Sequence, residues 1–339
     1  MKKILFLALT LIAPSVALIS CIGSSNPVQD MADKYHSEEI STDSMLKFVS
    51  DSVNIEAVLE WANKNIEKDD LAAYILGRNY KFGFGVERNP LKSIFYYRKA
   101  VENGNINAML GLGQLYASYP GHENLDSAKI LFTKAAEKGD GSGYYWLSQL
   151  LVTESMNNGS PLDTTAVMSL VEKGMKLNDP MCMGVVASSY YTGLGAIQNK
   201  KKAFEILSLA PEDKLVPQSL NILGEMYELG EVVPQNFNSA FHYYKKSANM
   251  GDTFAQCKLG NFYAAGQGIE KNDSLAFLEY QKAANAGNSW AMRCVGYSYL
   301  TGTGIKEDRY SGNQWLSNAA KHGDDIAIDY CKRNNIEYK

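Results

Sequence analysis

The sequence predicts an all-α fold, a stack of about seven helical hairpins, and two observations carry this. The first is a dipeptide, Leu-Gly followed three residues later by Tyr. It returns at Gly77, Gly113, Gly224 and Gly260, and at Gly296 with Val in place of Leu. Weaker copies centred on Ser148 and Ala187 fill the gap, and the steps along these seven positions are 36, 35, 39, 37, 36 and 36 residues. The second is the use of tyrosine, 21 residues against 12 phenylalanines and 4 tryptophans. Eleven of these tyrosines fall at repeated positions, which makes them core residues by expectation. A period in this range marks stacked units, each of which buries its apolar face only against its neighbours.

Residues 1–20 read as a secretory leader. Lys2 and Lys3 precede an uncharged run from Ile4 to Ile19 that Pro14 interrupts. A spanning helix needs about 20 apolar residues, so the run is short for an anchor. Leu18-Ile19-Ser20-Cys21 resembles the lipobox of bacterial lipoproteins. That resemblance implies cleavage before Cys21 and acyl chains on its thiol and new amino group, and more than one chain makes attachment stable. The implied location is the bacterial cell envelope, and Ile22, where an acid would favour the inner membrane, points to the outer membrane. Losing Lys2 and Lys3 takes the net charge from -4 to -6.

Residues 21–42, rich in Ser, Asn, Asp and Glu, read as a flexible tether. Residues 43–70 read as a partial repeat, since 56–69, with Trp61, match only the second half of a unit. The repeats occupy 71–325, and residues 326–339 cap the stack.

Within a unit, the first helix carries a small residue four positions before the Leu: Ala72, Ala108, Gly143, Cys182, Ser219, Ala255 and Ala291. Small, Leu and Tyr at i, i+4 and i+8 share one face, and the Gly beside them would let a neighbouring helix approach closely. The second helix combines aromatic residues and alanines and closes on glycine, as in Tyr96-Tyr97, Ala100 and Gly104 or Tyr243-Tyr244, Ala248 and Gly251. These units resemble the Sel1-like repeat family, relatives of the tetratricopeptide repeats, over about residues 55–325. The resemblance implies a right-handed α/α solenoid whose first helices line a concave surface. The third unit, 143–179, lacks the Gly-x-Gly loop of the pattern, and Pro211 shortens the second helix of the fourth.

No stretch is strongly basic, which argues against nucleic acid as a partner. Gly83-Phe84-Gly85, Gly193-Leu194-Gly195, Gly266-Gln267-Gly268 and Gly302-Thr303-Gly304 recur in register after first helices, so they read as turns and not phosphate loops. Four scattered histidines, without His-x-x-x-His or Cys-x-x-Cys, give no expected metal site, catalytic set or cofactor. Five cysteines do not make a disulfide framework in 339 residues. Five Asp-Ser or Asp-Thr pairs, such as Asp163-Thr164, resemble glycosylation acceptors of exported proteins, but helix capping, which calls for the same residues, is the preferred reading.

On each first helix the positions two and six after the small residue lie opposite the small-Leu-Tyr face. Those expected to line a partner groove are Tyr74, Arg78, Gln114, Tyr145, Gln149, Glu225, Asn261, Arg293 and Tyr297. Tyr and Arg in such a mixed surface make good anchors for a protein or peptide. The expected function is a non-catalytic adaptor, held at the membrane by the lipid on Cys21. The alternative is an enzyme or enzyme accessory acting on cell-wall or glycan substrates. Its one candidate acid is Glu225, with Glu228 one turn on.

Overall fold

A computed structural model describes residues 26–121 and 123–338. The leader and the proposed lipid site at Cys21 lie outside the described residues. Among those described, the regular structure is eighteen α-helices and one short 3-10 turn. None of these helices is long and apolar enough to cross a membrane.

The chain forms two compact units, divided between Ala128 and Lys129. The first holds α1 (Pro27–His36), α2 (Thr42–Ser50), α3 (Ile55–Asn65), α4 (Asp70–Phe82), α5 (Pro90–Glu102), α6 (Ile106–Ser118) and the start of α7 (Leu125–Glu137). The second holds the rest of α7, then α8 (Gly141–Asn158), α9 (Thr164–Lys176), α10 (Pro180–Thr192), α11 (Lys200–Leu209) and α12 (Pro217–Leu229). It continues with α13 (Phe237–Asn249), α14 (Thr253–Ala265), α15 (Asp273–Asn285), α16 (Ser289–Thr301), α17 (Arg309–Lys321) and α18 (Asp325–Arg333). Even-numbered helices from α4 to α16 are the seven first helices of the repeat.

The helix boundaries follow from side-chain capping. Asp69, Asn105, Asp179, Asp252, Asn288 and Asp324 each accept a backbone N–H at the start of an even-numbered helix. Asn89, Asn199, Asn236, Asn272 and Asp308 do the same for odd-numbered ones. Gly83, Gly193, Gly266 and Gly302 end their helices in the left-handed region, where a side chain is strained. Of the Asp-Ser/Thr pairs, Asp163 is a cap, accepting the Ala166 N–H, while Asp43, Asp126 and Asp273 stand inside first turns.

The small-residue slot is buried in every unit, and the Gly of Leu-Gly is where a second helix docks. A Cβ on Gly77 would stand 2.5 Å from the ring of Tyr97, and one on Gly224 2.8 Å from that of Tyr244. These second-helix rings are buried, Tyr97 and Tyr244 almost completely. The signature tyrosines of the first helices, expected in the core, are only half-buried. Tyr227 sits at the rim between two second helices, against Phe204 of α11 and Tyr243 of α13. Some successive first helices approach one another directly, α4 with α6 in the first unit, and α8 with α10 and α10 with α12 in the second.

The irregular middle has the expected causes. α8 runs 18 residues to Gly159 where the Gly-x-Gly loop is missing, and α11 stops after 10 residues, before Pro211 and a 3-10 turn over Glu212–Lys214.

The tether expectation is corrected. Within 21–42, Asn26 caps α1, Pro27 occupies its first turn, and Val28, Met31 and Ala32 are buried. Polar contacts fasten the helix. Trp61 Nε1 donates to Gln29 Oε1 at 2.7 Å, Asn107 Nδ2 donates to the Tyr35 hydroxyl at 3.2 Å, and His36 Nε2 lies 3.1 Å from Asp69. Residues 43–70 likewise hold two helices, α2 and α3, where one was expected.

Candidate functional site

Inside the first unit, the expected groove residues are engaged by the chain itself. Tyr74 is only 7% exposed and stacks on Tyr97 with ring centroids 5.9 Å apart. Burial pushes its phenol up to about 12. Tyr74 is therefore core, against expectation, since the position opposite small-Leu-Tyr here faces packed neighbours and not solvent. Arg78 donates Nη1 to Ser50 Oγ at 2.8 Å and lies 4.9 Å from the Phe84 ring centroid, which ties α4 to α2. Gln114 accepts from Lys81 Nζ at 2.6 Å.

In the second unit, two residues at the position two after the small residue, Asn221 and Arg293, sew one repeat to the next. Asn221 Nδ2 donates to Asp252 Oδ1 at 2.9 Å, and that same oxygen caps α14. Arg293 Nε donates to Asp324 Oδ2 at 3.0 Å, while the other oxygen of Asp324 caps α18. Tyr297 meets Tyr330 of α18 edge-on at 6.1 Å. Arg293 and Tyr297, expected as open anchors, are thus closed over by the last helix. The cause is that α18 repeats the first-helix pattern and stacks on α16 as a further unit would.

Glu225 Oε2 accepts from the Tyr191 hydroxyl at 2.8 Å. Glu228 accepts from the Tyr244 hydroxyl at 2.6 Å and from Lys258 Nζ at 2.8 Å. These two carboxylates serve as acceptors within the stack, with phenols and an ammonium as partners. Asn261 is exposed and accepts from the Tyr280 hydroxyl at 2.8 Å. Tyr145 packs edge-on against Trp146 at 5.2 Å, and burial raises its phenol. Gln149 is half-buried on the same helix.

Two open cavities lie on the first-helix face of the second unit. One, about 350 Å³, is lined from α8, α10 and α12, with Tyr145, Gly184, Ser188 and Ser219 in its wall. The other, about 290 Å³, lies between α14 and α16 and is walled by Phe254, Trp290, Lys258 and Asn261. Seven of the nine expected groove residues border neither cavity: Tyr74, Arg78 and Gln114 belong to the first unit, α18 covers Arg293 and Tyr297, and Gln149 and Glu225 lie outside both linings. Tyr145 and Asn261 do border them. Sequence reasoning missed Phe254 and Trp290. Both precede the small residue by one position and were open to the same offset argument.

A larger cavity, about 880 Å³, belongs to the first unit and lies beside the second helix α5, with Phe95, Arg98 and Tyr116 in its wall. An Arg98–Tyr116 hydrogen bond of 2.7 Å and a Lys99–Glu67 ion pair cross it. The fold also gathers His36, Asp69 and Asp70, with ligand atoms within 4.8 Å of one another. Asp69 caps α4 and Asp70 accepts from Asn105, so this trio fastens α1 and two helix starts. The four described cysteines are free thiols, and burial raises Cys257 to about 11 and Cys294 to about 12. Such thiols are poor nucleophiles at neutral pH.

Comparison with known proteins follows the same register. The Sel1 repeat model matches residues 70–105, 106–140, 181–210, 217–252, 253–288 and 291–324, passing over the whole of the irregular third unit. An uncharacterized protein of Neisseria meningitidis serogroup B is 25% identical over 211 residues, or 61% of this chain and 43% of that one. The chain thus spans less than half the length of that relative. A Sel1 repeat protein from Oxalobacter formigenes superposes with a TM-score of 0.57 at 22% identity, covering 92% of this chain and 95% of that one. A protective antigen of uropathogenic Escherichia coli, displaying an SLR fold, gives 0.60 at 23% identity, covering 92% and 65%. At these identities the likeness is one of fold.

Proposed function

The chain belongs to the Sel1 repeat family, whose members generally mediate protein–protein interaction, and from that premise we propose that it is a non-catalytic scaffold of the bacterial envelope. It presents the first-helix face of its second unit to a partner protein and is held at the membrane by lipid on Cys21. The observation that carries the reading is the pair of cavities on that face, each apolar in its wall with a few polar groups at the rim. That is the make-up of sites that take up side chains. With adjacent helices ~9 Å apart, cavities about two repeats apart lie ~20 Å from one another, the reach of about six extended residues. Phe254 is 44% exposed at one of them, an aromatic anchor of the kind that dominates binding energy.

A photoreactive side chain placed at Asn261, on this face, is expected to cross-link a discrete envelope protein. The same group at Leu278, 47% exposed on the second helix α15, is expected not to. Equal cross-linking from both positions, or none from Asn261, contradicts the scaffold reading. Labelled fatty acid tests the anchor: incorporation into wild type and its loss in Cys21→Ser are expected, and equal labelling of both rules the anchor out.

A further inference from the structure

A charge placed where most repeats hold none departs from the packing they share, and its partner shows what the departure serves. The position nine after the small residue of a first helix is such a place. It holds Ala117, Val152, Tyr191, Ala264 and Leu300 in five repeats, Glu228 in a sixth, and Lys81 in α4. Glu228 is answered within the chain, by Lys258 Nζ at 2.8 Å and the Tyr244 hydroxyl at 2.6 Å. Lys81 is answered only by a neutral group, the Gln114 carboxamide, whose Oε1 accepts from its Nζ at 2.6 Å. A last-turn lysine ordinarily serves the carbonyl end of its own helix, whereas Lys81 reaches across to α6.

Lys81 borders a cavity of about 310 Å³ inside the first unit, between the end of α4, the turn into α5 and the end of α6. Arg88 stands in the same wall with Phe82, Leu115 and Pro120, and no carboxylate does. Arg88 is exposed and makes no hydrogen bond or ion pair among the described residues. Arg78, one turn before Lys81, also lacks a carboxylate: it holds Ser50 Oγ at 2.8 Å and the Phe84 ring. Three cations are thus gathered with no acid to meet them. Burial, and then the Arg78 guanidinium, lowers the Lys81 ammonium to about 8. A half-buried cation crowded by another destabilises the free protein, and a bound anion offsets both causes.

We propose that this cavity takes an acidic side chain of a partner protein, its carboxylate between Lys81 and Arg88 and a neighbouring apolar side chain against Phe82 and Leu115. Two cations match the two oxygens of one carboxylate. The Ser118 hydroxyl is already given to the Gln114 backbone carbonyl at 2.8 Å, which removes one donor that the extra oxygens of a phosphate would need. Phe82 is 56% exposed, and Lys81 Nζ lies 5.1 Å from its ring centroid. The site is therefore an apolar surface with a positive edge, and an acid beside an apolar residue complements both. The inference rests on the protein-binding reading and adds to it a contact on the first unit.

The probe is a phage-displayed library of random dodecapeptides, selected on the immobilised whole chain and, in parallel, on its Lys81→Met variant. Enriched sequences are synthesised and titrated against wild type and variants. The expected wild-type consensus is Asp or Glu next to a large apolar residue, absent from the pool of the variant. Lys81→Met and Arg88→Glu should each weaken these peptides at least tenfold, and Phe82→Ala about fivefold. Replacing the consensus acid by Asn or Gln should cost the same tenfold on wild type and nothing further on Lys81→Met, because both changes remove one contact. Lys81→Met should meanwhile melt no lower than wild type, since methionine carries no charge into the cavity. A merely structural lysine would lose stability and affinity together. Wild-type peptides that ignore Lys81→Met and Arg88→Glu, or a consensus without an acid, overturn the site. If such peptides are lost in Phe254→Ala instead, the protein-binding reading stands without this contact. A library with no enrichment above background on either chain removes both.

Discussion

Gly224 and Tyr244 show how one missing side chain sets the distance between two helices. The ring of Tyr244 occupies the space a Cβ on Gly224 would need, 2.8 Å away, and its hydroxyl donates to Glu228. Gly224→Ala should therefore destabilise by ~1–3 kcal/mol, the usual cost of overpacking, although alanine is the better helix former. Tyr244→Ala should cost ~3–5 kcal/mol, and Tyr227→Ala less, because the Tyr227 ring is half-buried at the rim. Urea midpoints of the three variants check the order. Lys81 makes a prediction of opposite sign. Burial, then the Arg78 guanidinium beside it, lowers its ammonium to about 8 from 10.5. Between those values the unfolded chain binds more protons, so this group's contribution to stability rises with pH and its cost is greatest below 8. Lys81→Met should raise stability at pH 7 by ~1 kcal/mol, and the gain should shrink as unfolding is measured towards pH 10.5. The raised phenol of Tyr74 and thiol of Cys257 work the other way. They contribute fully below their unfolded values, and that contribution is lost as pH climbs through about 10–12 and 9–11 respectively.

At the scale of the element, legibility followed periodicity. The seven first helices and their partners were readable because a 36-residue step repeats small, Leu, Gly and Tyr in one phase, and each of those residues has one packing task. α1 was missed because its composition is polar, and composition averages away a face. Val28, Met31, Ala32 and Tyr35 stand at i, i+3, i+4 and i+7, behind Asn26 and Pro27, and that spacing carried the signal. The groove was misjudged for a related reason. Offsets on one helix say which residues share a face, but not what covers that face, and α1, α2 and α18 cover parts of it. Met31→Asp, which places a carboxylate against the packed side of α1, should release the helix. Amide exchange over residues 27–36 should then rise towards that of a free peptide while α12 to α17 stay protected. Unchanged protection over 27–36 would show that α1 is held by its polar contacts alone.

At the scale of the whole molecule, the stability of a stack is a sum of terms between neighbours, so damage at one end stays near that end. α18 is the test. It buries Ala327 and Cys331 against the last hairpin, with Ile328 and Tyr330 half-buried beside them, and supplies Asp324 to Arg293 across a pair only 17% and 9% exposed. Ending the chain after Gly323 removes the apolar cover and leaves the guanidinium of Arg293 without its carboxylate in a mostly buried place. Breaking a buried pair from one side costs ~3–5 kcal/mol, so α16 and α17 should lose most of their protection against amide exchange. α4, α5 and α6 lie many neighbour terms away and should exchange as in the intact chain. Restoring only the charge is not expected to suffice: a chain ending at Asp325 keeps the carboxylate but not the apolar face of α18, and should exchange nearly as fast as the shorter one. Loss of protection spread evenly over all seven hairpins would instead mark a single cooperative body, and a nearest-neighbour account of this chain would then fail.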